Sequence, residues 1–254
     1  MPLSDTNFVI LDVVHSTNNY AMENVHARMA KHGKAYFSTN QIAGKGQRGK
    51  VWEAEKGQNI ALSIVLEPSM LSIVQQFRLS TVVSLACFNF LSKYAGEETS
   101  IKWPNDIYWR DRKAGGVLIE NILQGKDWKY SVVGIGININ QTIFDPALPN
   151  PVSLKQITGK TFDPVELGKE LYKSVMEQFN RLTTVPFNGL LDKYNQHLFC
   201  KDKQVCLKKE EAVFETIIKG VAENGQLITF DTMESRFDFG EVEWVLVPEN
   251  NRLV

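Results

Sequence analysis

The chain has 254 residues, 43% of them hydrophobic and 22% charged, with a formal net charge of -1 at pH 7. That length buries the core of one large domain, or of a domain with a small appendage, and the near-neutral charge excludes a global basic field for holding nucleic acid. No apolar run approaches the roughly 20 residues that span a bilayer, Met1–Phe8 lacks a signal-peptide pattern, and Cys87, Cys200 and Cys206 match no zinc or redox spacing, so the expectation is a cytoplasmic protein with reduced thiols.

Phe8–Val14 predicts a strand, and His15-Ser16-Thr17-Asn18 then supplies hydroxyl and amide groups suited to capping a helix. Ala21, Met22, Val25 and Met29 recur at helical spacing, which predicts a helix to about Lys31, stopped at Gly33. Ala35–Thr39 and Asn59–Leu66 predict strands on either side of a glycine-rich basic loop, Gln41–Val51. Ile73–Leu91 is apolar enough for a buried helix. Ile101–Trp109 reads as a strand, a Pro-Asn turn and a second strand, while Ala114–Leu123 and Tyr130–Ile139 flank Gly125-Lys126-Asp127 as a hairpin. Phe162–Leu182 is an amphipathic helix with Asp163 as its cap and Pro164 at its first position, and Gly189–Phe199 suggests a last helix. Beyond Cys200 only short strands are expected: Val205–Leu207, Ala212–Val221, Leu227–Phe230, Ser235–Phe237 and Val242–Val247, with turns at Glu223-Asn224-Gly225 and Phe239-Gly240. Such a tail reads as a small barrel-like domain, which divides the chain into residues 1–200 and 201–254.

Four segments carry residue types suited to chemistry. Asn40–Trp52 holds Gly44, Gly46 and Gly49 with Lys45, Arg48 and Lys50, and no acid. Glycines let backbone N–H groups approach an anion; the cations add charge, and Arg48 a planar fork for phosphate or carboxylate. The Gly-Lys-Ser/Thr ending of a Walker A loop is missing, and a solvated basic surface loop is an equal reading. Lys102-Trp103-Pro104-Asn105-Asp106 sets a lysine and a carboxylate across a turn, suited to phosphate and Mg²⁺ or merely to an ion pair. Lys113-Ala114-Gly115-Gly116 puts a cation before two glycines at the mouth of a strand, where a ligand can approach or a loop simply ends. Gly134-Ile135-Gly136-Ile137-Asn138 lines one face of a strand with glycines, leaving room for a neighbour or a ligand, without the third glycine and helix of the dinucleotide fingerprint. His15, His26, His32 and His197 have no metal-ligand spacing.

Taken together in order and spacing, Ser16-Thr17-Asn18, the Gln41–Trp52 loop, KWPND at 102–106, KAGGVLIE at 113–120 and GIGININ at 134–140 closely resemble the catalytic domain of the biotin–protein ligases, over almost the whole chain. The resemblance implies an α+β fold, a mixed β-sheet flanked by helices with a small C-terminal SH3-like β-barrel. It also implies an ATP-dependent ligase that uses Mg²⁺, activates biotin to biotinyl-adenylate and transfers it to one lysine of a biotin carboxyl carrier protein domain. By position, Ser16, Thr17, Asn18 and Gln41 would take biotin, with Gly115 and Gly116 nearby. Gly44, Lys45, Gly46, Gln47 and Arg48 would close over the carboxylate and phosphates. Trp52 would lie against adenine, and Asn105 and Asn138 near the nucleotide. Lys102 would serve the triphosphate, Asp106 the Mg²⁺, and Lys113 both the biotin carboxylate and the α-phosphate. The chain departs from the family in reading GKGQRGK where many members are arginine-rich, so Lys45 and Gln47 stand in for arginines. With only seven residues before its first strand, it is expected to lack the DNA-binding domain that some members carry. Neither nucleic acid nor membrane is an expected partner, and a homodimer stays open. Two rivals remain: a lipoate ligase or octanoyl transferase, which share the fold (the transferase needing a catalytic cysteine), and a non-catalytic biotin or adenylate sensor.

Overall fold

The computed structural model describes residues 7–245. Seven strands form its main sheet: β1 (Phe8–Leu11), β2 (Ala35–Ser38), β3 (Ile60–Leu66), β4 (Thr99–Lys102), β5 (Asp106–Trp109), β6 (Arg112–Gln124) and β7 (Asp127–Ile137). Their order is β1-β2-β3-β7-β6-β5-β4, with β1 and β2 parallel and all other pairs antiparallel. The mixed sheet of the expected α+β fold is therefore present.

Both faces of this sheet are covered, which is why β3 is buried along its whole length. Side chains alternate across a strand, so Ile60, Leu62, Ile64 and Leu66 enter the larger core, shared with α2 (Gln76–Ala95) and α4 (Pro164–Thr184). Val65 joins the smaller cluster of Ala21, Val25, Ala30, Tyr36 and Val132 beneath α1 (Thr17–His26). The start of α4 follows from its sequence: the Asp163 carboxylate accepts from the N–H groups of Val165 and Glu166, and Pro164 needs no partner at the first helical position.

The local structure departs from expectation in several places. α1 stops at His26 rather than near Lys31, because Arg28 turns to φ 59° and the N–H groups of Met29 and Ala30 both fold back onto the Asn24 carbonyl. β1 ends at Leu11 rather than Val14; Val14 instead bridges to Gln41. A short helix, α3 (Leu154–Thr158), capped by Ser153 and Gln156, was not anticipated, and the last helix, α5, spans Phe187–Gln196.

Five further strands, β8 (Gln204–Lys209), β9 (Ala212–Val221), β10 (Leu227–Phe230), β11 (Glu234–Phe237) and β12 (Glu243–Val245), make an antiparallel sheet in the order β11-β10-β9-β8-β12. Among the described residues β11 and β12 are its edges, so the small β unit is an open sheet there and not a closed barrel. Of the strand expected over Val242–Val247, residues 246 and 247 lie outside the described residues. Leu207, Ile218, Val221 and Leu227 bury into the same core as α2. Asn195 of α5 clamps the main chain of Val221, donating to its carbonyl at 3.1 Å and accepting from its N–H at 2.8 Å. Among the described residues no helix is long and apolar enough to cross a membrane.

Candidate active site

On the α1 side of the main sheet three glycines leave the floor low. Register sets Ser63 of β3, Gly134 of β7 and Leu118 of β6 in one row, and Ala61, Gly136 and Gly116 in the next. The two β7 glycines are required by close approach: the Asn18 carboxamide occupies the place of a Cβ on Gly134, and the Trp52 indole that on Gly136. Above this floor lies a cavity of about 60 Å³, room for a few waters.

One end of the cavity is neutral and polar. The Thr17 N–H donates to Gln41 Oε1 at 2.8 Å, and Thr17 Oγ1 lies 3.0 Å from the same oxygen. Ser63 Oγ lies 2.7 Å from Thr17 Oγ1 and 2.6 Å from Asn18 Oδ1. Asn18 Nδ2 donates to Glu120 Oε2 at 2.9 Å. Ser16 lines the cavity and, although it is the N-cap of α1, makes no side-chain capping bond. The hydroxyl and amide groups at 16–18 thus serve the cavity rather than the helix end expected of them.

The other end is charged. Lys113 Nζ pairs with Asp106 Oδ1 at 2.7 Å, both side chains partly exposed at the cavity wall. Gly116 keeps that pair clear, since a Cβ there would sit 3.1 Å from Asp106 Oδ1 and 3.5 Å from Lys113 Nζ. Asn105 also lines the cavity and stitches its turn to β6 by donating to the Val117 carbonyl at 2.7 Å. Among the described residues no three His, Cys, Asp or Glu side chains cluster as a metal site.

The glycine-rich loop is a tight hairpin over the cavity. The Gly46 N–H donates to the Lys50 carbonyl at 2.7 Å, and the Trp52 N–H to the Gly44 carbonyl at 2.9 Å. Lys45, Gly46, Gln47 and Trp52 line the cavity. Lys45 Nζ reaches to 3.9 Å from Glu120 Oε1, and Gln47 Nε2 to 3.4 Å from the Val117 carbonyl. Trp52 Nε1 is buried without a hydrogen-bond partner, and its ring lies against Gly136 of β7.

Five of the residues singled out from sequence lie outside the cavity wall. Gly44 is buried beneath the loop, against the Trp52 carbonyl. Arg48 sits at the hairpin tip with φ 54° and faces away: its guanidinium lies 5.3 Å from the Phe239 ring centre, with Nη1 3.5 Å from the Gly240 carbonyl. Gly115 packs beneath β7, where a Cβ would stand 2.8 Å from the Gly136 carbonyl oxygen. Asn138 donates to the Val152 carbonyl at 3.1 Å and lies 3.4 Å from that of Lys113, bracing the chain beside that lysine. Lys102 is buried in a cage of Tyr108, Phe199 and Trp244, its Nζ 3.0 Å from the Tyr108 hydroxyl. Burial pulls its pKa down to about 8, against the opposing pull of Asp106.

Sequence reasoning passed over Ser63 and Glu120. The signal for Ser63 was a lone hydroxyl inside NIALSIVL, since a buried polar group in an apolar strand needs a partner. Glu120 closed a quoted motif without being given a role.

Residues 10–138 match the biotin/lipoate A/B protein ligase family. The chain is 28% identical to the bifunctional ligase/repressor BirA of Escherichia coli over 233 residues, 89% of this chain and 70% of that protein. It is 28% identical over 198 residues to the biotin–[acetyl-CoA-carboxylase] ligase of Paracoccus denitrificans, covering 76% of this chain and 82% of that one. Its fold superposes on the biotin protein ligase of Aquifex aeolicus in complex with biotin and ATP with a TM-score of 0.79 at 26% identity, over 93% of this chain and 97% of the other.

Proposed function

From the premise that the chain belongs to the biotin/lipoate A/B protein ligase family, we propose that it is an ATP-dependent biotin–protein ligase. It forms biotinyl-adenylate and passes the biotin to one lysine of a biotin carboxyl carrier protein domain. The observation that carries this reading is the single cavity that joins a neutral hydrogen-bonding end, Thr17 with Gln41, to the Lys113–Asp106 pair under a cationic hairpin.

The two ends suit the two ends of biotin. Its ureido ring needs matched neutral acceptors and donors, and its carboxylate needs a cation. In the first step a carboxylate oxygen bonds to the α-phosphorus of ATP and pyrophosphate leaves. Both reactants are anions, so the ammonium group of Lys113, joined by that of Lys45 when the hairpin is closed, offsets their repulsion and stabilises charge that develops in the transition state. In the second step the acceptor amine attacks the activated carbonyl and AMP leaves. Asp106 is the carboxylate in the cavity wall; a single carboxylate fits a Mg²⁺ that arrives on a triphosphate, and when bound the ion neutralises phosphate charge. At about 60 Å³ the cavity is far below the roughly 300–1,000 Å³ of ligand pockets, so the hairpin and the Trp52 ring must move outward to admit biotin and close again over the water-sensitive adenylate.

The same reading assigns residues 1–200 to the catalytic unit and 201–254 to a second unit, and places the enzyme in the cytoplasm without nucleic-acid or membrane partners. The test is incubation with biotin, ATP, Mg²⁺ and a carrier domain, followed by mass spectrometry. The expected product is one biotin on a single lysine, with one pyrophosphate released. Use of lipoate in place of biotin, or binding of biotin without turnover, would overturn it.

A further inference from the structure

The polar end of the cavity contains three oxygen–oxygen contacts and only two protons to fill them. The contacts are Asn18 Oδ1 to Ser63 Oγ at 2.6 Å, Ser63 Oγ to Thr17 Oγ1 at 2.7 Å, and Thr17 Oγ1 to Gln41 Oε1 at 3.0 Å. The protons are those of the Ser63 and Thr17 hydroxyls, for the two outer oxygens are amide carbonyls that only accept. Ser63 is fully buried and Asn18 nearly so, so a third proton can reach this chain only from the cavity side, at Thr17 and Gln41.

Glu120 decides which contact goes without. Its carboxylate only accepts, so it holds the Asn18 amide with Nδ2 toward itself and Oδ1 toward Ser63. The turned-over amide would set two oxygens against each other. Asn18 Oδ1, buried and acceptor-only, then takes the Ser63 proton. Ser63 Oγ, its own proton spent, takes that of Thr17 across the next-shortest contact. The chain of donation runs Thr17 to Ser63 to Asn18, with Asn18 Nδ2 donating in turn to Glu120. The longest contact, between Thr17 Oγ1 and Gln41 Oε1, is left with lone pairs on both oxygens, in a cavity that both residues line.

We infer that Glu120 and Ser63 are positioning residues that, through Asn18, turn Thr17 and Gln41 into a paired acceptor for one ureido N–H of biotin. This rests on the biotin-ligase reading above and deepens it. The ligand brings the missing third proton. A carboxylic acid without an N–H at that end, such as lipoate, would face two uncompensated oxygens, so the same relay selects against it.

Steady-state adenylation kinetics test the relay. Glu120→Leu removes the acceptor that holds Asn18 Nδ2, so the amide turns Nδ2 onto Ser63 Oγ, the Ser63 proton passes to Thr17 Oγ1, and Thr17 turns its own proton onto Gln41 and blocks the site. The KM for biotin should rise about tenfold, as expected for one lost hydrogen bond of roughly 1.4 kcal/mol. The KM for ATP and kcat should stay within about twofold of the parent, and desthiobiotin, which has the same ureido ring, should lose equally. Ser63→Ala breaks the relay without touching Lys45 and should show the same split, while Glu120→Asp should recover part of the loss. A Ser63→Ala enzyme with the parental KM for biotin overturns the inference, because Glu120 would then act through Lys45. Parallel losses in kcat and in the KM for ATP overturn it too, since they mark a merely structural role. If Glu120→Leu does not fold, Ser63→Ala alone decides. A parent protein that makes no biotinyl-adenylate fails the ligase reading instead, so the two failures are distinguishable.

Discussion

Replacing Lys102 with methionine should change how the stability of this protein depends on pH. The Nζ group lies 4.5 Å from the Tyr108 ring centre, 5.7 Å from Phe199 and 5.2 Å from Trp244, and burial lowers its pKa from 10.5 to about 8. That depression corresponds to about 3 kcal/mol of penalty on the charged form. Below pH 8 both folded and unfolded chains carry the proton, and the folded state bears the full penalty. As pH rises through 8 the folded lysine releases its proton while the unfolded one holds it to 10.5, so stability rises across that window and then levels. Between pH 7 and pH 9.5 the parent should gain about 2 kcal/mol that the methionine variant does not. Tyr108 does not interfere, because burial raises its pKa well above this range. Cys200 also acts on Lys102 electrostatically, so both proteins should carry Cys200→Ser. The assay is urea unfolding of the pair at several pH values, with every other titration cancelling in the difference. A stability difference that stays constant from pH 7 to 9.5 would refute a caged, desolvated ammonium.

Three further outcomes follow from the site. Lys113→Ala should slow pyrophosphate release by a transition-state loss of about 3–4 kcal/mol while biotin affinity by calorimetry changes far less; near-normal pyrophosphate release would remove Lys113 from the chemistry. Arg48→Gly and Phe239→Ala each free the hairpin tip from the second sheet, so preformed biotinyl-adenylate should dissociate faster from both, read by stopped-flow fluorescence. Faster release from Arg48→Gly alone would mean that the guanidinium acts inside the cavity in the liganded state. Gly134→Ala drives a methyl group into the Asn18 carboxamide and should weaken biotin binding in a protein that still folds; parental affinity would show that the seat of Asn18 on β7 does not define the polar end.

The contact between the hairpin tip and the second sheet bears on closure. Arg48 reaches Phe239 and Gly240, Trp103 Nε1 donates to the Gly225 carbonyl at 2.9 Å, and Trp244 Nε1 to the Trp103 carbonyl at 3.3 Å. The loop that covers the cavity and the turn that carries Asp106 are thus both braced by residues beyond 200. Movement of the hairpin has to break or carry the Arg48 contact, an exposed cation–π pair worth roughly 0.5–1 kcal/mol, which is weak enough to be remade in each turnover.

Elements whose signals are local were legible in the sequence. Asp163-Pro164 and the apolar spacing through Leu182 mark α4, and two β-branched runs around Gly125-Lys126 mark the β6–β7 hairpin. The glycines of KAGG and GIGIN also declared a place of close approach, because a missing Cβ is visible in the sequence itself. What filled that place was not visible. Only the register of β3, β7 and β6 puts Ser63, Gly134 and Leu118 in one row, and only the packing of α1 on that row brings Asn18 between Ser63 and Glu120, 45 and 102 positions away in the chain. The same holds for charge. Lys45, Arg48 and Lys50 look alike in a basic loop, yet the backbone turn at Arg48 sends its side chain toward the second sheet while Lys45 lines the cavity. A sequence names the groups and the local backbone that suits them; which groups share a cavity is decided by strand pairing and burial, because those bring together atoms that the chain itself keeps far apart.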